Sequence, residues 1–332
     1  MTTVGGRPEV GTRGLGVATA VDIPALNELF TEAFTDRYRR DGMAGVRVPP
    51  LHPQIWRYAI EDAGEGALCW RDGRGRLVAF NMVHRSGAEG WMGPLCVRPD
   101  QQGSGIGKQI VTSGLHWLRA RGARVIGLET MPRTMDNIGF YSRLGFVPGA
   151  LTVTLTLEVG RTGDAASSMD STSPSLVLSR MPASDQRHAV AACRTLTGAV
   201  QDGYDFSREL ELTVALGLGD VVLLGPPAAP AGFALYHTTP LVEGRSRDEV
   251  RVLKLVLARR EDFPLLLDRL MAVTRQEGVR RLAVRMQGEY PDAYQAMLSR
   301  GARVRWTDLR MCADGGQDQV PSRGLVLSNW EI

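Results

Sequence analysis

The feature that most constrains the fold is a strand, a glycine-rich turn and a helix that follow one another directly between residues 93 and 122. The apolar run at residues 95–97 predicts the end of a strand. Apolar side chains then recur at helical spacing from Ile106 to Leu118, and Gly122 is typical of the residue that ends a helix. This order predicts an anion-binding site, because the N–H groups of a helix's first turn have no partners within the helix.

The turn itself supports this prediction. Its residues are Gln102, Gly103, Ser104, Gly105, Ile106, Gly107 and Lys108. Three glycines let the backbone approach a ligand closely and turn its N–H groups outward. A phosphate or pyrophosphate is the ligand that such a turn favours.

Two other glycine motifs fit this turn less well. A Walker A loop requires Ser or Thr after Gly-Lys, but Gln109 follows Lys108, and Gln102 stands where the first glycine is needed. The dinucleotide-binding pattern begins well at Gly103 and Gly105 but meets Lys108 at its sixth position.

The segment resembles the acyl-CoA loop of the GNAT acyltransferase superfamily. The family pattern Q/R-x-x-G-x-G/A is met by Gln102, Gly105 and Gly107. A second family motif follows downstream, where a short predicted helix carries Asn137 and Tyr141 and stops at Gly-Phe. The resemblance covers about residues 14 to 159.

The resemblance implies a fold class, a cosubstrate and roles for several residues. The expected fold is mixed α+β, with two GNAT-like domains that each have a central, mostly antiparallel twisted sheet flanked by helices. The cosubstrate is expected to be acetyl-CoA or another acyl-CoA. Its pantetheine arm and carbonyl are expected to bind the backbone of Leu95, Cys96 and Val97, and its pyrophosphate the N–H groups from Gln102 to Lys108.

Tyr141 matches the family tyrosine that protonates the departing thiolate, and Asn137 matches a polar residue that contacts pantetheine or water. A packed aromatic and a helix-surface amide are the plainer explanations of these two residues. For the general base, Glu129 and His84 are candidates, and His84 has the ordinary pKa nearest neutrality. Neither stands out, and an ordered water is an alternative.

Length and an internal repeat indicate two domains. The 332 residues, 43% of them hydrophobic, are enough for two cores. We expect a flexible leader at 1–13, an acyl-CoA-binding catalytic domain at 14–159, a polar linker at 160–175 and a degenerate GNAT-like domain at 176–332. An unrelated α/β domain is the alternative for the last segment.

The repeat has a constant offset. Gly278 minus Gly122 gives 156, and Gly301 minus Gly145 also gives 156. If the same offset continues through the loop, Gly105 maps onto Glu261, so the second domain is expected to lack a phosphate site.

Composition argues against several kinds of ligand and location for this chain. The formal net charge of +3 comes from dispersed basic residues, so nucleic acid is a poor candidate. No apolar run is long enough for a membrane span, and four widely spaced cysteines predict neither a metal site nor disulfides. We expect a cytoplasmic protein; a homodimer is compatible with the sequence.

The sequence therefore predicts an N-acetyltransferase that acts on an amine of a small molecule. A protein N-acetyltransferase and a non-catalytic acyl-CoA sensor or scaffold are the alternatives. The apolar chain end, residues 324–332, predicts a docked strand, either at the edge of the second domain or at the domain junction. At the junction, Glu331 or the terminal carboxylate would orient or deprotonate an amine. The acceptor, the acyl chain, the general base and the oligomeric state are left open.

Overall fold

The computed structural model describes residues 13–160, 176–314 and 320–332. We call residues 13–160 the first half and the residues from 176 onward the second half. Residues 1–12 of the predicted leader and residues 161–175 of the predicted linker lie outside the described residues.

The described residues form a mixed α+β structure, as the resemblance implies. The helices are α1 (Ile23–Arg40), α2 (Pro53–Ala63), α3 (Ile106–Ala120), α4 (Met135–Ser142), α5 (Ala183–Val200), α6 (Ser207–Ala215), α7 (Phe263–Gln276) and α8 (Pro291–Ser299). The strands are β1 (Arg13–Val17), β2 (Ala67–Arg71), β3 (Leu77–Ser86), β4 (Glu89–Val97), β5 (Val125–Thr130), β6 (Phe146–Glu158), β7 (Gly219–Leu224), β8 (Gly232–His237), β9 (Glu249–Leu257), β10 (Arg281–Gln287), β11 (Arg303–Ala313) and β12 (Leu325–Ser328). Within the described ranges, no helix has the length and apolar character needed to span a bilayer.

The strands form one sheet that runs through both halves. Its order is β1-β2-β3-β4-β5-β11-β6-β10-β9-β8-β7, and β12 pairs with β9. Strand β11 of the second half therefore lies between β5 and β6 of the first half. Strand β6 in turn pairs with β10, where Leu155 lies opposite Val284. The two halves thus exchange their last long strands and share a continuous backbone hydrogen-bond network.

Alternating side chains of the first-half strands pack against helices on the two faces of the sheet. On one face, Met82 and Trp91 pack with the apolar stripes of α1 and α2. On the other face, Val83 and Leu128 pack with α3 and with Tyr141 of α4. Helix α3 lies between β4 and β5, which are parallel, as a crossover connection requires.

The second half repeats a run of four elements from the first. Helix α7, strand β10, helix α8 and strand β11 follow α3, β5, α4 and β6 at an offset of about 156 residues. The turn glycines repeat as well: Gly122 and Gly278 have φ of 80° and 69°, and Gly145 and Gly301 have φ of 90° and 88°. Glycine is needed there because positive φ is unfavourable for other residues.

The offset does not continue through the glycine loop, so that part of the sequence prediction is wrong. Glu89 pairs with Val125, and Glu249 pairs with Arg281. The offsets are 249 − 89 = 160 for the first strand and 281 − 125 = 156 for the second. The connection between β9 and β10 is therefore four residues shorter than that between β4 and β5. Gly103 and Gly105 therefore lie in the segment that is shortened, whereas Gly107 lies within α3 and still corresponds to Phe263 of α7.

The shared sheet predicts that the two halves unfold together. Separating them would break the backbone bonds of β11 with β5 and of β6 with β10, so neither half retains its full sheet alone. We expect coincident urea transitions for far-UV circular dichroism and tryptophan fluorescence. Two resolved transitions, one for each half, would contradict this expectation.

Candidate active site

A cleft opens in the sheet where β4 separates from β5. The parallel pairing of the two strands ends at Met92 and Leu128. On its other side, β4 has one more residue than β3 between Met92 and Leu95, which forms a β-bulge at Gly93-Pro94. Proline has no N–H to donate to a neighbouring strand. Beyond this point, residues 94–97 of β4 have no paired strand on the β5 side within the described structure.

A cavity of about 570 Å³ extends from this cleft and is lined by both halves. Its first-half wall includes α1, β4, β5 and α4, and its second-half wall includes β9, β10, β11 and the residues after β12. The lining residues used below are Tyr38, Leu95, Glu129, Asn137, Tyr141, Arg285, Trp306, Asp308 and Glu331.

The glycine loop lies at the end of the open strand. Gly103 and Gly105 have φ of 79° and 92°, and a Cβ at either position would meet no atom within 4 Å. Gln102 holds the loop, since its Nε2 donates to the Val97 carbonyl at 3.2 Å and its Oε1 accepts from Arg40 at 3.0 Å. Open space beside positive-φ glycines leaves room for an anion against the backbone.

The remaining loop residues continue into α3. Ser104 is exposed, and its hydroxyl donates to the Gln101 carbonyl at 2.6 Å. Ile106 begins α3 and is buried, whereas Lys108 is exposed on the first turn. A Cβ on Gly107 would lie 3.5 Å from the Phe140 ring, so α4 packs closely here. The first-turn amides of α3 are therefore positioned at the same opening.

The three predicted strand residues have different surroundings. Leu95 lines the cavity and pairs across the sheet with Asn81. Cys96 is buried, and this burial raises the pKa of its thiol well above the ordinary value. Val97 is half-buried and lies beside Gly107. Leu95 and Val97 pack against the core beside α3, whereas Cys96 belongs to the core on the opposite face of the sheet.

Helix α4 brings Tyr141 and Asn137 to the cavity. Tyr141 is buried between Phe140 and Phe146, with ring centroids 5.2 and 5.9 Å away. Burial, with a smaller contribution from Cys96, raises the pKa of the phenol. Asn137 Nδ2 lies 3.5 Å from Thr130 Oγ1. Tyr141 is thus protonated at neutral pH and faces the same cavity as Leu95.

Glu129 lines the cavity, but its carboxylate is fully engaged. It accepts from Thr152 Oγ1 at 2.6 Å, from Arg310 Nε at 2.9 Å and from Arg285. Burial by itself raises the pKa of Glu129, but Arg285 and Arg310 outweigh burial, and the pKa is lowered. An ionised carboxylate held by two guanidinium groups is a poor proton acceptor.

His84 does not reach the cavity. It is fully buried, its Nδ1 lies 2.5 Å from Asp62 Oδ2, and its ring stacks on Trp91 at 4.0 Å between centroids. The structure therefore brings Glu129 and Tyr141 to one cavity and leaves His84 in the core beside Asp62.

Asp308 and Glu331 also line the second-half wall of the cavity. The sequence pointed to Glu331 but not to Asp308. Asp308 lies on β11 next to β5, because Leu309 pairs with Thr130. Arg285 Nη1 lies 3.1 Å from Asp308 Oδ2 and 2.7 Å from Glu331 Oε2. The sequence signal for Asp308 was weak: it is the one acidic residue in a strand that also carries Arg303, Arg305 and Arg310.

The chain end is a docked strand, as predicted, but it is not an edge strand of the second half, because its partner β9 lies inside the strand order. Strand β12 docks on β9 in the second half, and the residues after it enter the cavity. Trp330 Nε1 donates to Glu89 Oε1 at 2.8 Å, and its ring covers Gly127, where a Cβ would lie 2.2 Å from the indole. The lack of a side chain at Gly127 thus makes room for the tail.

The equivalent cleft of the second half is filled. Strand β9 has its own bulge at Leu253. At the offset of 160 residues, Leu253 is the equivalent of Gly93 in β4. Beyond the bulge, residues 254–257 pair with β12, from Lys254 with Ser328 to Leu257 with Leu325. The strand edge that is open in β4 is therefore covered in β9.

The acetyltransferase (GNAT) family profile matches residues 23–146, which contain the open edge of β4, the glycine loop and Tyr141. These residues are therefore similar to the GNAT family, and the match covers less than half of the chain.

Curated relatives are similar to this chain over part of their length. It is 30% identical over 144 residues to serotonin N-acetyltransferase 2, chloroplastic, of Oryza sativa subsp. japonica. The aligned region covers 42% of this chain and 64% of the relative. The chain is 29% identical over 147 residues to mycothiol acetyltransferase of Actinosynnema mirum, which covers 42% and 48%. The chain thus spans less than two thirds of either relative.

Solved GNAT structures share the fold over nearly the whole chain. A tandem GNAT protein from the clavulanic acid biosynthesis pathway has a TM-score of 0.56 at 13% identity and covers 92% of this chain and 99% of its own. A GCN5-related N-acetyltransferase from Sphaerobacter thermophilus has a TM-score of 0.56 at 16% identity, with coverage of 91% and 96%. At these identities the likeness concerns the fold alone.

The ion pairs of Glu129 make a prediction for stability. Glu129→Gln leaves Arg285 and Arg310 with less compensating charge, so we expect a loss of about 3 kcal/mol in the free energy of unfolding at pH 7. Because the folded pKa lies below the ordinary 4.5, this contribution is present above pH 4.5 and is lost as pH falls through the lowered value. Urea unfolding at pH 7 and at pH 3.5 measures both quantities.

Glu211→Gln provides the control, because Glu211 is an exposed residue of α6. It should change stability little at either pH. Equal losses for the two variants at pH 7 would refute the structural importance of the Glu129 pairs.

Proposed function

We propose that the chain transfers an acetyl or related acyl group from acyl-CoA to the amine of a small molecule. The observation that carries this proposal is the open edge of β4, which connects the glycine loop and Tyr141 within one cleft. On this proposal the first half holds the cosubstrate. The second half is a degenerate GNAT-like domain that contributes to the acceptor side.

The residues present fit acyl-CoA. The amides from Gln102 to Lys108, at the start of α3 and beside the open space at Gly103 and Gly105, would hold the pyrophosphate. The backbone edge of residues 95–97 on the β5 side, apart from the Val97 carbonyl that accepts from Gln102, would pair with the pantetheine arm as a strand would. Asn137 is positioned to bind the same arm or a water. When bound, acyl-CoA supplies an activated thioester carbonyl.

The chain's own groups would then promote transfer. A backbone N–H of β4 near Leu95 would stabilise negative charge on the carbonyl oxygen. Tyr141 would donate the proton that the departing sulfur needs, and burial keeps the phenol protonated until that charge develops. The cavity walls would hold the amine against the carbonyl carbon.

A small acceptor is favoured over a protein. The cavity volume of about 570 Å³ lies in the range of small-molecule sites, roughly 300–1,000 Å³. The tail and the second-half strands wall the cavity. The names of the two curated relatives also refer to small molecules, serotonin and mycothiol.

The cosubstrate site predicts one acetyl-CoA per chain. Gly105→Glu should abolish detectable binding by calorimetry, because it places a side chain and a negative charge where the pyrophosphate would lie. Gly75→Glu is the matched control: Gly75 has φ of 81°, close to the 92° of Gly105, and lies in equally open space in a hairpin turn. A stoichiometry of two, or binding undiminished in Gly105→Glu alone, would refute the assignment.

The catalytic proposal is tested with acetyl-CoA and a panel of serotonin, tryptamine, glucosamine, cysteine and spermidine, with release of the CoA thiol as the readout. Tyr141→Phe should lower kcat by on the order of 10²-fold for the best acceptor and preserve acetyl-CoA affinity. Tyr58→Phe, which changes a buried tyrosine outside the cavity lining, should leave kcat unchanged. Acetyl-CoA binding without transfer to any amine would favour a sensor, and transfer only to a peptide would favour a protein acetyltransferase.

A further inference from the structure

The acceptor side of the cavity contains a cluster of charged residues with an excess of negative charge. We call it the carboxylate cluster: Glu129, Asp308 and Glu331, with the guanidinium groups of Arg285 and Arg310. All three carboxylates approach Arg285, but only Glu129 also pairs with Arg310. Three carboxylates against two guanidinium groups leave one negative charge uncompensated within the cluster.

The excess charge lies at Asp308 and Glu331. Glu129 takes both guanidinium groups, and Arg310 also donates to the Ser328 carbonyl and stacks on Trp330 at 4.0 Å. Asp308 and Glu331 therefore share Arg285 Nη1. Asp308 receives one further bond, from Trp306 Nε1 to its Oδ1 at 3.1 Å.

Neighbouring elements bring charged groups of both signs to this wall. On α1, Tyr38 faces Asp308 and Glu331 across the cavity, and Arg37 is paired with Asp41 and Asp136. On β9, Arg251 donates to the Thr239 carbonyl and has both Glu249 and Glu331 as charged neighbours. On β11, Arg305 also lines the cavity, but it is exposed, so solvent screens its charge.

The location of Asp308 suits the acceptor of a transfer reaction. It is 8% exposed, yet it lines the cavity that contains Leu95 and Tyr141. It lies one strand away from Thr130, at the end of β5 where the cleft is open. A group bound between Asp308, Glu331 and Tyr38 would therefore lie on the acceptor side of that cleft.

We propose that the carboxylate cluster binds the acceptor as an ammonium ion and that Asp308 takes the proton from its nitrogen. This inference rests on the proposed acyltransferase function and names its substrate class, a primary amine that is cationic in water. A cation at this point supplies the charge that the cluster lacks.

The nitrogen of the acceptor loses two protons in the proposed step. The Asp308 carboxylate takes the first proton from the bound ammonium ion, which frees the lone pair of the nitrogen. The nitrogen then forms the C–N bond to the thioester carbon, and the C–S bond breaks with its electron pair on sulfur. The Tyr141 hydroxyl gives its proton to sulfur, and the second proton lost by the nitrogen reprotonates Tyr141 through solvent. Release of the Asp308 proton to solvent returns both groups to their starting state.

The protonation behaviour of Asp308 agrees with its geometry. Burial raises the pKa of Asp308 to about 6; Arg285 opposes this rise, while Glu331 and Glu129 add to it. Asp308 is thus ionised at pH 7 but takes up a proton more readily than an exposed aspartate.

Asp308→Asn tests the proposal with the best acceptor of the five-amine panel. We expect kcat/KM to fall by at least 10²-fold and the rise of activity with pH near 6 to disappear, while acetyl-CoA affinity is preserved. Asp308→Glu should restore part of the activity and the pH dependence. Asp292→Asn, the same change at an exposed residue of α8, should leave both unchanged.

A stability measurement shows whether the variant is folded and tests the charge excess without substrate. Asp308 holds its proton more tightly in the folded chain than at the ordinary pKa of 3.8, so its stabilising contribution is lost as pH rises from 3.8 to about 6. Asp308→Asn should therefore have a higher Tm than the wild-type protein at pH 7.5, and the difference should shrink at pH 4. Arg285 keeps Glu129 and Glu331 as partners in this variant.

The outcomes separate the two proposals. Wild-type transfer with unchanged kinetics in Asp308→Asn overturns this inference and leaves the proposed function intact. A Tm that does not rise at pH 7.5 refutes the excess charge. If the wild-type protein transfers to no amine of the panel, the proposed function fails, and this inference fails with it.

Discussion

The pairing of β11 with β5 is the interaction on which both the fold and the cavity depend. It inserts a second-half strand into the first-half sheet, and β6 is consequently paired with β10 on its other side. The same insertion places Asp308 and Arg310 beside Glu129, although about 180 residues separate them in the chain. Because backbone bonds set the register of β11, alternate side chains of this strand are directed into the cavity at fixed positions. The acceptor wall is therefore a consequence of sheet topology.

The two halves show two ways to satisfy an interrupted strand edge. In both, a bulge marks the point where two parallel strands separate, at Gly93-Pro94 in β4 and at Leu253 in β9. A strand edge inside a protein needs partners for its N–H and C=O groups. In β9 the strand β12 supplies them, whereas in β4 the edge faces an open cleft with a glycine loop at its end. One fold thus yields an open cleft in one copy and a docking site for the chain's own tail in the other.

Ion pairs between buried side chains also connect the two halves. Arg285 and Arg310 come from the second half, and Glu129 comes from the first. Burying these groups carries a desolvation cost that only close pairing offsets, so the cluster favours one relative placement of the strands. The pairing also distinguishes the two acidic residues of this wall. Glu129 is held in its ionised form, whereas Asp308 shares its guanidinium partner with Glu331.

The sequence by itself determined the glycine loop, the helix that follows it and the short helix that carries Tyr141, because each depends on spacing within a contiguous stretch. It also indicated the repeat, since the turn glycines keep an offset of 156 residues. The sequence did not reveal that the connection after β9 is shorter than the glycine loop after β4. The two glycine pairs that gave the offset both lie on the C-terminal side of that loop. Only the tertiary structure decided that His84 lies in the core beside Asp62, that two arginines hold Glu129, and that Asp308 faces the cavity. The physical reason is that these placements follow from strand pairing between distant segments, and local periodicity shows that a strand exists without showing which strand lies next to it.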